Sequence, residues 1–253
     1  MRVINREISI SGEWLRVGAE AAGLPLPGVL TSESVWRDPV EQRAHVNQAL
    51  DALAAEGLWR GRAPTEEFAA TLRVLGRGDR ELLAVVEQPG VGYRVQVSAS
   101  GQDAVLACYV PTTGRVFLRP ARPGALAEDL IAQLPEAFPG DGVALSVPES
   151  DLRQAINGAP PRRDIRRVLD VVSLPRTGGG QIYAGFRDGL GAYRQTGNSC
   201  CTFYDTDSGR YVFSFTEEPG YERYVNVAQG RPDILVTKAY ELLDQLQRVR
   251  QHR

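Results

Sequence analysis

Lysine is almost absent from this chain: Lys238 is the only one among 29 basic residues, and the rest are arginine. Acidic residues number 31, so the net charge is −2. Such a balance gives no electrostatic argument for DNA, RNA or an anionic membrane as partner. Histidine is scarce as well, with His45 inside an expected helix and His252 in the tail. A Ser–His or Cys–His catalytic pair is therefore poorly supplied, and no G-x-S-x-G occurs. The three cysteines, Cys108, Cys200 and Cys201, make neither a disulfide framework nor a C-x-x-C. Vicinal cysteines rarely both reach one tetrahedral zinc. Cys108 and Cys201 fall in expected strands and read as small apolar residues. No apolar run approaches the ~20 residues of a membrane span. The start MRVINREISIS lacks an apolar h-region, so no secretory signal is expected. These absences lead to the expectation of a reduced, cytoplasmic protein with no cofactor, no metal and no catalytic residues.

What is present is a core and a repetition. At 253 residues, 43% hydrophobic and 24% charged, the chain can bury a substantial interior. Residues 81–134 and 181–246 read as the same construction made twice: short strands, tight turns, then an amphipathic helix. The first copy runs ELLAVVE, YRVQVSASGQDAVLACYV, RVFLRPA and ALAEDLIAQL. The second runs QIYAGFRD, SCCTFYDTDSGRYVFSF, YERYVNVA and ILVTKAYELLDQL. Matching by element order pairs Gly101 with Gly209 and the strand at 115–119 with that at 223–227. The echo between T-T-G-R and D-S-G-R is then shared turn chemistry. The expected fold is α+β, with quasi-two-fold duplicated β-β-β-β-α units in a mainly antiparallel central sheet flanked by helical bundles. The halves are 1–134 and 135–253, intertwined in one globular domain, with 135–148 as the seam.

Helices precede the strands in both halves. Residues 12–22 place Trp14, Val17, Gly18 and Ala21 on one face. Asp38-Pro39-Val40-Glu41 is a helix start, and the helix runs to Glu56 with Val46, Ala49, Leu50 and Leu53 on one side. A third helix covers 64–75, with Phe68, Leu72 and Leu75 as its stripe. In the second half, helices are expected near 149–157 and 161–173, and the last near 232–250. Between 93 and 98, Tyr93, Val95 and Val97 alternate with Arg94, Gln96 and Ser98, so one sheet face is expected to be wet.

Several motifs invite chemistry. Asp205-Thr206-Asp207-Ser208-Gly209 suggests a calcium loop or a D-x-D metal site, so a metal-dependent enzyme centred on Asp205 and Asp207 is one alternative. The spacing fails the EF-hand pattern, and a hairpin turn accounts for the residues better. Gly178-Gly179-Gly180 lacks the Lys-Ser/Thr of a phosphate loop and reads as a flexible entry to a strand. Arg162, Arg163, Arg166 and Arg167 form a basic stripe, most simply a solvated helix face. With residues 39–78 it gives the other alternative, a DNA-binding regulator of winged-helix type. Tyr204, Tyr211, Phe213 and Phe215, with Tyr221 and Tyr224 nearby, concentrate aromatics in the second unit. One side of that set belongs to the core; the other is covered either by a helix of this chain or by a partner.

In sequence order these segments resemble the EspG family, associated with ESX (type VII) secretion in actinobacteria. The likeness includes EWL…GLPLP, the A-L-x-x-L-x-x-x-G-L pattern ending at Leu58, RVFLRPA, SVPESDL and, above all, GGGQIYAGFRDGLG…TFYDTDSGRYVFSF. The resemblance implies a cytosolic chaperone without enzymatic activity. Such a chaperone caps the apolar tip of a helical PE–PPE heterodimer, or a similar secreted helical pair, before export. It also implies a partner seat on the sheet and the C-terminal helical part, with help from the loop between the second and third strands. Counted along the first unit, that loop is Ser98–Asp103. The expected partner-binding residues are Ser98, Ser100, Gly101 and Asp103 together with the outward-facing members of Thr202, Tyr204, Tyr211, Phe213 and Phe215.

Overall fold

The computed structural model describes residues 2–31, 36–142, 144–187, 193–195, 200–217 and 222–251. The first half begins with β1 (Ile8–Ser11) running directly into α1 (Gly12–Ala21), where the Ser11 hydroxyl accepts from the Glu13 N–H. Next comes α2 (Pro39–Ala55), started as its sequence dictates. The Asp38 carboxylate accepts from the Val40 and Glu41 N–H groups at 2.8 and 2.9 Å, and Pro39 fills the first position. A small hairpin, β2 (Trp59–Arg60) with β3 (Ala63–Pro64), leads to α3 (Glu66–Arg77), capped by Thr65. Four antiparallel strands follow: β4 (Arg80–Gln88), β5 (Val91–Ser100), β6 (Asp103–Val110) and β7 (Arg115–Pro120). The short helix α4 (Leu126–Ile131) closes this half.

The second half repeats that order. It comprises β8 (Leu145–Pro148), α5 (Glu149–Ile156), α6 (Arg163–Val172), β9 (Arg176–Arg187), the short β10 (Tyr193–Gln195), β11 (Cys201–Thr206), β12 (Gly209–Glu217), β13 (Arg223–Gln229) and α7 (Pro232–Gln251). All but the small hairpin join one sheet in the order β1-β7-β6-β5-β4-β9-β11-β12-β13-β8, with β10 on β9. The halves meet where β4 and β9 pair antiparallel, Ala84 opposite Ile182. Outward from that seam the two sides match strand for strand. Gly101 and Gly209 sit in equivalent hairpin turns, both at positive φ. The edge strands β1 and β8 also occupy equivalent places. Neither was expected from the sequence: four residues give too short an alternation to read.

Period-two alternation gives the sheet two apolar faces. One carries Leu82, Ala84, Val97, Ile182 and Phe203 and is covered by α4 and α7, through Leu130, Leu235, Ala239 and Leu243 among others. The opposite face is covered in two separate places. Over β6, β7 and β1 lie α1, α2 and α3, contributing Leu15, Leu53, Phe68 and Leu75. Over β12, β13 and β8 lie α5 and α6, with Ile165 and Val168 packed on Tyr211, Phe213, Val225 and Val227.

Two sequence expectations are corrected here. The wet face of 93–98 is not wet: Gln96 and Ser98 are fully buried. The Gln96 side-chain amide donates to the Leu75 carbonyl at 2.9 Å and to the Ser98 hydroxyl at 2.7 Å. It thus satisfies a C-terminal carbonyl of α3, and Arg187 Nε satisfies the next one, Gly76. Polar side chains inside the sheet serve as the cap of a helix. The glycine run 178–180 is no flexible entry: it lies inside β9, which begins at Arg176. A Cβ at Gly180 would stand 2.5 Å from the Val85 carbonyl, and one at Gly179 would stand 2.7 Å from the Phe203 carbonyl. The strands approach too closely there for any side chain.

Candidate functional site

The most distinctive motif of the chain resolves into a mount. Asp205 and Arg210 are both buried, and the guanidinium donates to the two carboxylate oxygens at 2.6 and 2.9 Å. It also reaches the Pro135 carbonyl at 2.9 Å and lies 4.7 Å over the Phe203 ring. The intervening Thr206–Gly209 is a tight turn, in which the Thr206 hydroxyl accepts from the Ser208 N–H and donates to the Gly209 carbonyl. Asp207 points into solvent on that turn. Among the described residues no group of three His, Cys, Asp or Glu side chains is placed to hold a metal ion. The winged-helix alternative fares no better. Ala69 to Leu72 and Val74 to Gly76 of α3 are buried, which leaves little free face for a groove.

The structure brings Thr202, Tyr204, Tyr211, Phe213 and Phe215 to one face. Thr202 stands opposite Phe213 and Tyr204 opposite Tyr211. Helices of this same chain cover most of that set. Tyr211 and Phe213 are buried under α5 and α6, and Tyr204 and Phe215 are half-buried at the margin of the same cluster. Tyr224 also pairs within this sheet region, while Tyr221 and His252 lie outside the described residues. Ser98 is interior, bonded to Gln96. Ser100, Gly101 and Asp103 form the β5–β6 turn. That turn and the β4–β5 turn at Gln88–Val91 lie at opposite ends of β5, about 30 Å apart over ten residues. Because β1 belongs to the sheet, β4 and β5 are its second and third strands along the chain once the separate β2–β3 hairpin is set aside. The loop between them is Gln88–Val91.

Between the two helical layers one strip of the sheet is left bare toward its Arg176 end. It is a cleft of about 450 Å³ over β4, β9 and β11. Its floor is Val85, Gly179, Gln181 and Thr202, and its mouth is formed by Glu87, Gln88, Pro89, Arg176 and Tyr204. The glycines keep the floor low, which lets Tyr204 lean over β9. The Arg176 guanidinium lies 3.7 Å above the Tyr204 ring, a cation–π contact that fixes an exposed arginine in place. Among the described residues neither Arg176 nor Glu87 has an ion-pair partner. Of the residues expected from sequence, only Thr202 and Tyr204 line this cleft. Arg176, Gln181 and Glu87 carried no sequence signal, since only cross-strand register brings them together.

A second buried acid lies at the far end of the same strip. Glu81 is 1% exposed, opposite Gly185 on β9 and Ser98 on β5. Burial pushes its carboxyl up to about 8, and the Arg187 charge and the Tyr193 hydroxyl only partly oppose this. Neither carboxylate oxygen makes a hydrogen bond of good geometry among the described residues. The proton therefore stays on Glu81 at neutral pH.

No helix among the described residues is long and apolar enough to cross a membrane. Comparison with known proteins gives matches to a family model and to solved structures. No curated protein matches the chain. Among the solved structures, 14 chains match. One is the Mycobacterium tuberculosis type VII secretion system chaperone EspG5, solved in complex with a PE25–PPE41 dimer. It is 17% identical with a TM-score of 0.70, over 94% of this chain and 96% of that one. The fold is thus that of EspG5, including the large mainly antiparallel sheet with its helical layers. The EspG family model matches residues 11–239, nearly the whole length. The chain belongs to the EspG family.

Proposed function

We propose that this chain is a cytosolic chaperone of type VII secretion, and that it seats the apolar tip of a secreted helical pair of PE–PPE type in the cleft between its two helical layers. Family membership supports the class, and the PE25–PPE41 dimer bound by EspG5 supports the kind of client. The observation that carries the reading is the bare strip itself. Strands β4, β9 and β11 are central in the sheet, yet toward Glu87 and Arg176 one of their faces is left open while both flanks are covered. An open central strip with a low floor of mixed polar and apolar groups, an aromatic wall and a charged rim has the make-up of a protein interface.

The seat in this reading is narrower than the sequence suggested. Thr202 and Tyr204 belong to it directly. Tyr211, Phe213 and Phe215 support it by holding the α5–α6 layer. Ser100, Gly101 and Asp103 lie at the other end of the sheet, and Pro89, Gly90 and Val91 take the place assigned to them. No catalysis and no cofactor enter this account. Arg162, Arg163, Arg166 and Arg167 are solvated on α6, and two of them pair loosely with Asp151 and Asp164 at 3.9 and 4.0 Å.

Co-expression with the secreted helical proteins encoded beside it tests the reading. A stable complex on size-exclusion chromatography is expected with one such pair. Failure with every neighbouring pair would remove it.

A further inference from the structure

Phe138 is 87% exposed, and the segment that carries it is tied down on both sides. The Phe138 carbonyl accepts from the Arg210 N–H at 2.7 Å, and the Gly140 N–H donates to the Arg210 carbonyl at 2.8 Å. The Arg210 guanidinium, already holding Asp205, binds the Pro135 carbonyl at 2.9 Å. Leu134 is anchored in the core beside α4. Gly140 lies flat on the Tyr211 ring, where a Cβ would come within 2.4 Å of it. So the backbone of residues 135–140 is fixed while one phenyl ring is left in water. The ring contributes nothing to the core of its own chain. A loose loop would let it fold back onto apolar surface; this loop holds it out.

A rigid, exposed aromatic is the form a binding anchor takes, because the ring is ordered before any partner arrives. We propose that Phe138 is such an anchor, inserted into an apolar socket of the helical client while the client's tip sits in the cleft; this rests on the chaperone reading above. Placement supports it. Arg176 at the cleft mouth pairs with Thr206, Thr206 pairs with Gly209, and Pro139 bridges to Arg210. Cleft mouth and anchor therefore lie along one end of the sheet, separated by about three strand spacings, or ~14 Å. Two packed helices present an end ~20 Å across. One client end spans both features. The Asp205–Arg210 pair then has a stated purpose: it fixes the mount on which the anchor stands.

The test is a titration of the purified client pair against wild type, Phe138→Ala and Arg176→Glu, with thermal unfolding of each variant as control. Phe138→Ala is expected to bind about 10- to 100-fold more weakly with an unchanged melting temperature. Wild-type affinity in Phe138→Ala, with Arg176→Glu weakened, overturns the anchor and leaves the cleft reading standing. Weakening in Phe138→Ala alone upholds the anchor and removes the cleft. A wild type that binds no helical pair but self-associates through this ring, and loses that in Phe138→Ala, overturns the proposal in favour of a second copy of the chain.

Discussion

Arg210 grips Asp205 through two hydrogen bonds, Nε to one carboxylate oxygen at 2.6 Å and Nη2 to the other at 2.9 Å, with both side chains shut away from water. A charge pair in that setting is held by mutual need. Removing one partner leaves the other buried and uncompensated, which costs far more than the pair contributes.

Asp205→Asn and Arg210→Ala should each lower stability by about 3–5 kcal/mol. Urea unfolding measures this directly. The same variants settle the metal alternative. Calcium or magnesium titrated into the wild type should give no saturable heat; heat that vanishes in Asp205→Asn would restore a metal site.

Glu81 makes stability depend on pH in an unusual direction. Its carboxyl sits at about 8 in the folded chain, against 4.5 for a free glutamate. The folded state therefore holds the proton more tightly than the unfolded chain does. The stabilisation is complete below about pH 4.5 and is lost as pH rises through 8. Glu81→Gln removes the titration. Its urea midpoint should fall less than that of wild type between pH 5 and 8.5, with a gain of a few kcal/mol at the upper end, at ~1.4 kcal/mol per pK unit. Parallel pH profiles for the two proteins would contradict this.

Gly180 tests why the glycine run exists. Its Cβ would meet the Val85 carbonyl at 2.5 Å and the Phe203 ring at 2.7 Å. Gly180→Ala should destabilise by ~1–3 kcal/mol. Gly124→Ala, with nothing within 4 Å of the new methyl, should stay within ~0.5 kcal/mol. Equal melting temperatures for both variants would show that the run serves flexibility rather than close packing.

Much of the fold was legible because its signals are local. Asp38-Pro39 caps a helix wherever it occurs, and the stripe of Leu126, Leu130, Ile131 and Leu134 is buried as its spacing requires. Gly101 and Gly209 marked equivalent turns because only a residue free at positive φ fits there. The edge strands β1 and β8 were not legible, since four residues acquire strand character only from the partner beside them. Gln96 and Ser98 misled for a related reason. Their burial depends on a helix end that sequence spacing does not place. The aromatic set was expected to divide between a core side and an outward side, yet it stands on one face and its cover is α5 and α6, so exposure could not be inferred from alternation alone. The cleft depended wholly on register. Arg176 meets Tyr204 across a pairing between strands that start 25 residues apart, and no motif records it.

Arg176→Glu should weaken client binding and leave the melting temperature unchanged, because the side chain is exposed and rests on the Tyr204 ring at the surface. The loss should shrink as salt is raised if the client offers an acid to it.

Hydrogen–deuterium exchange of the chain with and without its client pair tests the central claim most directly. The account predicts new protection at 85–91 and 176–181, around the cleft and the β4–β5 turn, and none at the β5–β6 turn of 100–103. Protection at 100–103 with the cleft unchanged would contradict it.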